Sequence, residues 1–362
     1  MYTCVVCGST QPATAWRCSC GGPLEFTQQP EPTIASPPSL NHNAGLWAFE
    51  DWLPVERSVS LGEGFTPLVA APDRDVTYKL EWLFPTGSFK DRGATATISH
   101  ADQLDVNRVV EDSSGNAGKA IATYAAYAGF DAEIFVPADA KPGKVRAIER
   151  TGATITKVEG SRQAVTDACT AQLEGGTAED PSTAWYASHA WNPAFFEGTA
   201  TFAYEIAAQR DWTAPDAVVT PLGHGTLFLG AYRGFARLSN WGLIDEIPRL
   251  YGVQAAGVAP IVEARDGIVA GEGTNSVADG IQITEPVRAQ QIQTALDASG
   301  GEAVAIDAER TNAEYDRLHR NGLFVEPTCA VAPAAVDLLR EAGELDAEDT
   351  VVVALTGTDS NR

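Results

Sequence analysis

Lysine, methionine and long apolar runs are all scarce in this 362-residue chain. Lysine occurs only at Lys79, Lys90, Lys119, Lys141, Lys144 and Lys157, and the one methionine is Met1. No run of about 18 apolar residues is present, so no transmembrane helix is expected. The N-terminal MYTCVVCGST lacks a basic stretch followed by an apolar one. No secretory signal is therefore expected, and the chain is placed in the cytoplasm. Basic residues of all kinds are few: Lys+Arg is 25 against Asp+Glu 48, a net charge of −23. That balance argues against nucleic acid and anionic membrane as partners, because both are gripped through a basic patch. An acidic, lysine-poor surface keeps a protein soluble where salt screens its self-repulsion. It reads as halophilic adaptation; a merely acidic enzyme is the plainer alternative.

What is present is an ordinary globular composition, 44% hydrophobic and 20% charged, long enough for two packed α/β lobes. Residues 1–26 form a small cysteine knuckle, with CVVC and CSC contributing Cys4, Cys7, Cys18 and Cys20. A Pro-rich polar crossing over 27–45 follows, then a short helix in LWAFEDWLPVE and a turn to an edge strand in LGEGFTPLV. From about residue 88 helices alternate with apolar strands, among them RVVED, AEIFVP, TITKVEG, DAVVTPLG, LYGVQAAG and TVVVALTG. The intervening helices include SFKDRGATATISHADQL, NAGKAIATYAAYAG, PGKVRAIERTG, SRQAVTDACTAQLEG and TATFAYEIAAQRD. Repeated βα units predict mostly parallel sheets flanked by helices.

Four segments carry candidate chemistry. In PTGSFKDRG, residues 85–93, Ser88 is expected to cap a helix beginning near Phe89, which sets Lys90 in the first turn. The helix dipole and the neighbouring Arg92 would disfavour its ammonium form, and a less charged amine is a better Schiff-base nucleophile. A surface helix with ordinary Lys–Asp pairing is the bland alternative. In EDSSGNAG, residues 111–118, a turn of small residues precedes a helix. Its backbone N–H groups, with the hydroxyls of Ser113 and Ser114, suit an anion, and Asn116 offers both a donor and an acceptor. In TPLGHGTLFLG, residues 220–230, Gly223 and Gly225 let the backbone approach an oxyanion and Thr226 adds a hydroxyl. Neither segment matches a P-loop or a dinucleotide fingerprint. In ALTGTDSN, residues 354–361, Thr356 ends a buried strand where α/β proteins bind ligands, and its hydroxyl can meet a pyridine nitrogen. For the last three, a plain turn or cap is the structural alternative.

Taken together, in this order and spacing, the four segments resemble the threonine synthase-like family of fold-type II pyridoxal-phosphate enzymes, as an acidic member of haloarchaeal type. LGEGFTPL, NPAFFEGTATFAYEI, GVQAAGVAPIVEA and FVEPTCA are similar to family segments as well. The resemblance implies two lobes with mostly parallel sheets: residues 27–98 with 197–362 as the large lobe and 99–196 as the small one. It implies Lys90 as cofactor-bearing lysine and proton carrier, and Asn116 at the cofactor's ring hydroxyl. Gly223, His224, Gly225, Thr226 and Leu227 would surround its phosphate, and Thr356 would meet its ring nitrogen. Ser88, Ser113, Ser114 and Gly115 become candidates for the substrate, with Ser113, Ser114 and Gly115 at its carboxylate. Cys4, Cys7, Cys18 and Cys20 resemble a zinc ribbon, whose four thiolates would make any zinc structural.

The activity so implied is formation of threonine and phosphate from O-phosphohomoserine, by a cytoplasmic enzyme, with a homodimer as the default assembly. Three positions depart from the family pattern for the substrate phosphate: Ala190 in place of Ser, Phe195 in place of Arg, and His224 in place of Asn. His224 would compensate only when protonated. The ending LTGTDSNR also differs from the family's LTGxGLKD. A phosphate dianion without a strong cationic partner binds poorly. An ammonia-lyase or β-replacement enzyme acting on unphosphorylated threonine or serine is therefore the second reading. A non-enzymatic knuckle protein on an inactive scaffold is a third, and the retention of Lys90, Asn116 and Thr356 argues against it.

Overall fold

The computed structural model describes residues 1–32, 37–173, 184–271 and 273–359. Part of the expected Pro-rich crossing (33–36), the end of the helix expected to reach Gly175, and the last residues of LTGTDSNR lie outside them.

Three short strands open the chain: β1 (Tyr2–Cys4), β2 (Thr10–Gln11) and β3 (Leu24–Phe26), antiparallel in the order β2-β1-β3. A 3-10 stretch over His42–Trp52 then buries Leu46, Trp47, Phe49 and Trp52. β4 (Leu68–Ala70) and β5 (Thr77–Leu80) pair antiparallel at the edge of the large sheet. The chain leaves that sheet through α1 (Lys90–Gln103).

It next builds a four-stranded parallel sheet from β6 (Arg108–Glu111), β7 (Asp131–Pro137), β8 (Thr154–Val158) and β9 (Trp185–Tyr186), in the order β8-β7-β6-β9. Helices α2 (Asn116–Ala128), α3 (Pro142–Glu149) and α4 (Arg162–Thr170) are its crossovers. Gly129, at φ 79°, ends α2 in the left-handed region that glycine enters without strain.

α5 (Pro193–Gln209) carries the chain back. β10 (Ala217–Pro221), β11 (Arg249–Ala255), β12 (Ile268–Ala270), β13 (Ala303–Ile306) and β14 (Val351–Leu355) complete the seven-stranded sheet, in the order β12-β13-β11-β10-β14-β5-β4. Every pairing in it except β4–β5 is parallel. Its helices are α6 (Thr226–Asn240), α7 (Pro260–Glu263), α8 (Ala289–Ser299), α9 (Ala308–Arg320) and α10 (Val331–Glu341). The fold is thus α/β, two mostly parallel sheets flanked by helices, as expected.

Two local expectations are corrected. Ser88 does not cap α1: the cap position is Phe89, in the helical region, with no side-chain bond to the helix. Ser88 instead forms a backbone bridge to Gly357 and lies fully buried. The helix expected from Thr199 begins at Pro193, because the Asn192 side chain accepts from the Ala194 N–H at 3.0 Å and proline suits a first helical position.

α5 governs the site. It lies against both α1 and α6, and glycine makes both approaches possible. A Cβ at Gly198 would run into the Arg92 carbonyl, and one at Gly230 into Thr199. The first turns of α1 and α6, with Lys90 and Thr226, are thereby fixed with respect to each other.

Beneath them lies a fully buried ion network. Arg92 Nε is 2.7 Å from Glu81 and its Nη1 2.6 Å from Glu205, while Lys79 Nζ is 2.8 Å from Glu205. Two cations face two carboxylates, so the desolvated charges balance.

Candidate active site

A cavity of about 290 Å³ is lined by residues from both sheets' loops. Lys90 enters from α1; Ser113, Ser114, Gly115 and Asn116 come from the β6–α2 turn; Gly223 to Leu227 come from the β10–α6 turn; Thr356 follows β14. All are at the C-terminal ends of parallel strands or the helix starts beside them, where α/β sheets bind ligands. Ser88 is not part of the lining: its buried Oγ has no partner.

Lys90 Nζ donates to Thr226 Oγ1 at 3.2 Å. Its pKa is lowered from 10.5 to about 8 because burial disfavours the ammonium, while Glu111 and Glu326 oppose the shift. The expected contribution of Arg92 is corrected here. Arg92 turns away into the Glu81–Glu205 network, and burial drives the shift.

Opposite Lys90, the glycine turn meets the N-terminus of α6. Gly225 sits at φ 79°, and a Cβ on it would strike Ile292. A Cβ on Gly223 would approach Ile281 to 3.3 Å. At both glycines the turn stays bare, with the His224 ring the one side chain between them, and its N–H groups can serve an anion. Asn116 donates to both Glu326 oxygens at 3.1 Å. Thr356 Oγ1 lies 3.3 Å from Cys329 Sγ, whose thiol burial pushes up to about 12. The cavity has other charged neighbours: Arg162 with Asp112, at 2.8 Å, and Lys144 with Asp279, at 3.3 Å.

Of the three departing positions, Ala190 and Phe195 are buried and His224 is partly exposed in the cavity lining. Phe195 fills space beside Gly93 and lies 6.1 Å, ring to ring, from His189. Burial holds His224 down at about 3, so it is neutral and cannot supply the missing cation. Sequence reasoning missed His189, Arg162, Lys144, Asp279 and Thr328. They stand in loops and on helix faces without motif spacing. Glu326 was visible only as part of FVEPTCA.

At the N-terminus, the sulfurs of Cys4, Cys7, Cys18 and Cys20 lie within 4.8 Å of one another, close enough to share one metal ion.

A half-buried lysine with a lowered pKa, facing a glycine-rich helix start in a cavity between two parallel sheets, defines a pyridoxal-phosphate enzyme. The residues fit that cofactor: an amine for its aldehyde, bare N–H groups for its phosphate and a threonine hydroxyl on the third side. The chain belongs to the family of pyridoxal-phosphate-dependent enzymes, which matches residues 59–357, and to its threonine synthase-like branch. It is 31% identical to the threonine synthase of Methanocaldococcus jannaschii, across 99% of this chain and 92% of that protein. It is 33% identical to that of Methanosarcina acetivorans, over 86% and 79%. Among solved structures, tomato threonine deaminase isoform 2 superposes with a TM-score of 0.68 at 18% identity, covering 92% of this chain and 96% of that one. An L-serine ammonia-lyase from Rhizomucor miehei does so with 0.67 at 20% identity, covering 81% and 93%. At such identities the likeness speaks for the fold alone.

Proposed function

We propose that this protein is a threonine synthase, converting O-phospho-L-homoserine and water to L-threonine and phosphate with pyridoxal phosphate bound at Lys90. The observation that carries the reading is the half-buried Lys90 amine, lowered to about 8 and facing Thr226 and the glycine turn. Relatives at 31% and 33% identity, both threonine synthases, support it. In this reading the cofactor supplies the electron sink for carbanion chemistry. Lys90 holds it and then carries substrate protons. Gly223, His224, Gly225, Thr226 and Leu227 hold its phosphate, Asn116 adjoins its ring oxygen, and Thr356 meets its ring nitrogen. Ser113, Ser114 and Gly115 receive the substrate carboxylate; Ser88, buried with its hydroxyl free, stands beside Gly357, next to Thr356.

The proposal extends to the assembly. The chain divides into a knuckle (1–26), a large lobe (27–98 with 197–362) and a small lobe (99–196). It works as a cytoplasmic homodimer in high salt, and its four-cysteine knuckle holds a structural zinc ion.

One observation favours the second reading, an ammonia-lyase or β-replacement enzyme. Phe195 and Ala190 offer no charge to a substrate phosphate, and His224 is neutral. The test is a product assay on the holoenzyme in high salt. Phosphate released from O-phosphohomoserine with threonine formed upholds the proposal. Ammonia and a 2-oxo acid from threonine or serine, with no phosphate release, replaces it with the second reading.

A further inference from the structure

The roles above leave one buried acid–imidazole pair in the cavity wall unused. Glu111 ends β6 and is fully buried. Its Oε1 lies 2.6 Å from His189 Nδ1, and its Oε2 has no partner. His189 lines the cavity, and its ring stands 5.3 Å from that of His224, nearly perpendicular to it. Lys90 from α1, Asp112 from just past β6, Arg162 from α4 and His224 from the glycine turn face the pair. Asp112 already neutralises Arg162, through a 2.8 Å ion pair.

We infer that His189, held by Glu111, is a catalytic acid that gives its proton to the oxygen leaving the substrate carbon. The inference rests on the reading that this site cleaves a carbon–oxygen bond, whether the leaving oxygen belongs to phosphate or to hydroxyl. Phe195 and Ala190 provide no charge to stabilise a departing oxyanion, so a proton is what this wall can offer.

The state of the pair suits the role. Burial, aided by Asp112, raises Glu111 well above the carboxylate range, and burial holds His189 well below the imidazole range. The neutral acid donates to Nδ1, and Nε2 then carries the ring's proton. As the carbon–oxygen bond breaks, its electron pair stays on oxygen. The Nε2 proton passes to that oxygen, and the Glu111 proton moves to Nδ1. Lys90 takes the proton from the adjacent substrate carbon, whose electron pair becomes the new carbon–carbon double bond. Glu111 ends as a carboxylate facing the Lys90 ammonium, with which it interacts electrostatically.

The test uses holoenzyme in deuterated high-salt buffer, with wild type, His189→Gln and Glu111→Gln. Exchange of the substrate's α-hydrogen is followed by NMR, and released phosphate (from O-phosphohomoserine) or ammonia (from serine) is measured beside it. The expected result is a fall of about 100-fold in the ratio of release to exchange for His189→Gln, the low end for a lost general acid. Glu111→Gln should lower the ratio less and displace the pH profile of release. Exchange and release falling together, or an unchanged ratio, overturns the inference. Loss of the bound-cofactor absorbance in both variants also overturns it, because the pair is then structural. Wild type that releases only ammonia sinks the phosphohomoserine reading and leaves the pair to be judged on serine. Wild type that releases neither product sinks both.

Discussion

Asn116 Nδ2 donates to both carboxylate oxygens of Glu326, at 3.1 Å each. The bond joins the first turn of α2, on the small sheet, to a loop of the large sheet, across the cavity. Burial pushes the Glu326 carboxyl up, and the amide opposes the shift most, with Lys144 and Lys119 adding to it. Asn116→Ala removes that donor from a part-buried carboxyl, at a cost of about 1 kcal/mol. The variant should melt earlier and release pyridoxal phosphate faster on dilution. Asn116→Asp should be worse, because it sets two part-buried carboxyls together. Cofactor retention equal to wild type in both would show that the contact is incidental.

A second expectation concerns pH. Lys90 has an ordinary pKa of 10.5 that burial lowers to about 8. The neutral amine is the nucleophile, so cofactor capture by the apoprotein should quicken about tenfold per pH unit up to 8 and then level off. Borohydride trapping followed by peptide mass measurement reads the rate and the site together. Lys90→Ala should trap nothing while keeping its fold. A rate still climbing to pH 10 would mean the amine is not depressed.

The sheets, the order of elements and the cavity wall were legible because glycine and apolar runs mark strand–turn–helix junctions wherever they occur. Lys90, Asn116 and Gly225 sit at such junctions, and Thr356 ends the last apolar strand. Arg92 was misread because adjacency in sequence was taken for adjacency in space. Two helical steps, about 200° around the axis, turn its guanidinium into the Glu81–Glu205 network, away from the cavity. Glu111 and His189 were invisible for a related reason. Their pairing spans 78 residues, between a strand end and a loop, and no local spacing records it.

The knuckle supports a third prediction. Its four sulfurs lie within 4.8 Å, and Zn–S bonds of about 2.3 Å would fit such a cluster. The purified protein should contain one zinc per chain by elemental analysis, and Cys7→Ser should lower that content. The effect should reach the cavity. Glu25, on β3, pairs with Arg288 at 2.5 Å, and Arg288 also donates to the carbonyls of Ala190 and Trp191, next to His189. Chelation should therefore weaken activity as well as stability. A metal-free preparation with full stability and activity would make the knuckle a simple fold.

The last prediction tests the ion network under the site. Glu205 faces both Arg92 and Lys79, and none of the three is exposed. Glu205→Gln keeps the shape but leaves two buried cations with only Glu81, so the loss should be about 3–5 kcal/mol. Urea unfolding should show a lower midpoint with an unchanged slope. The pH dependence has a definite sign. Burial alone would raise Glu205, but Arg92 and Lys79 outweigh it and hold the group at about 2, below its ordinary 4.5. A carboxyl depressed in the folded state stabilises above its unfolded pKa. The contribution is complete above about 4.5 and fades as pH falls towards 2, and Glu205→Gln should remove that acid dependence. Lys79→Met combined with Glu205→Gln restores the balance of one cation to one carboxylate. The double variant should therefore be more stable than Glu205→Gln alone. If instead the two losses simply add, charge balance is not what holds α1 against α5, and packing at Gly198 becomes the chief constraint on where Lys90 stands.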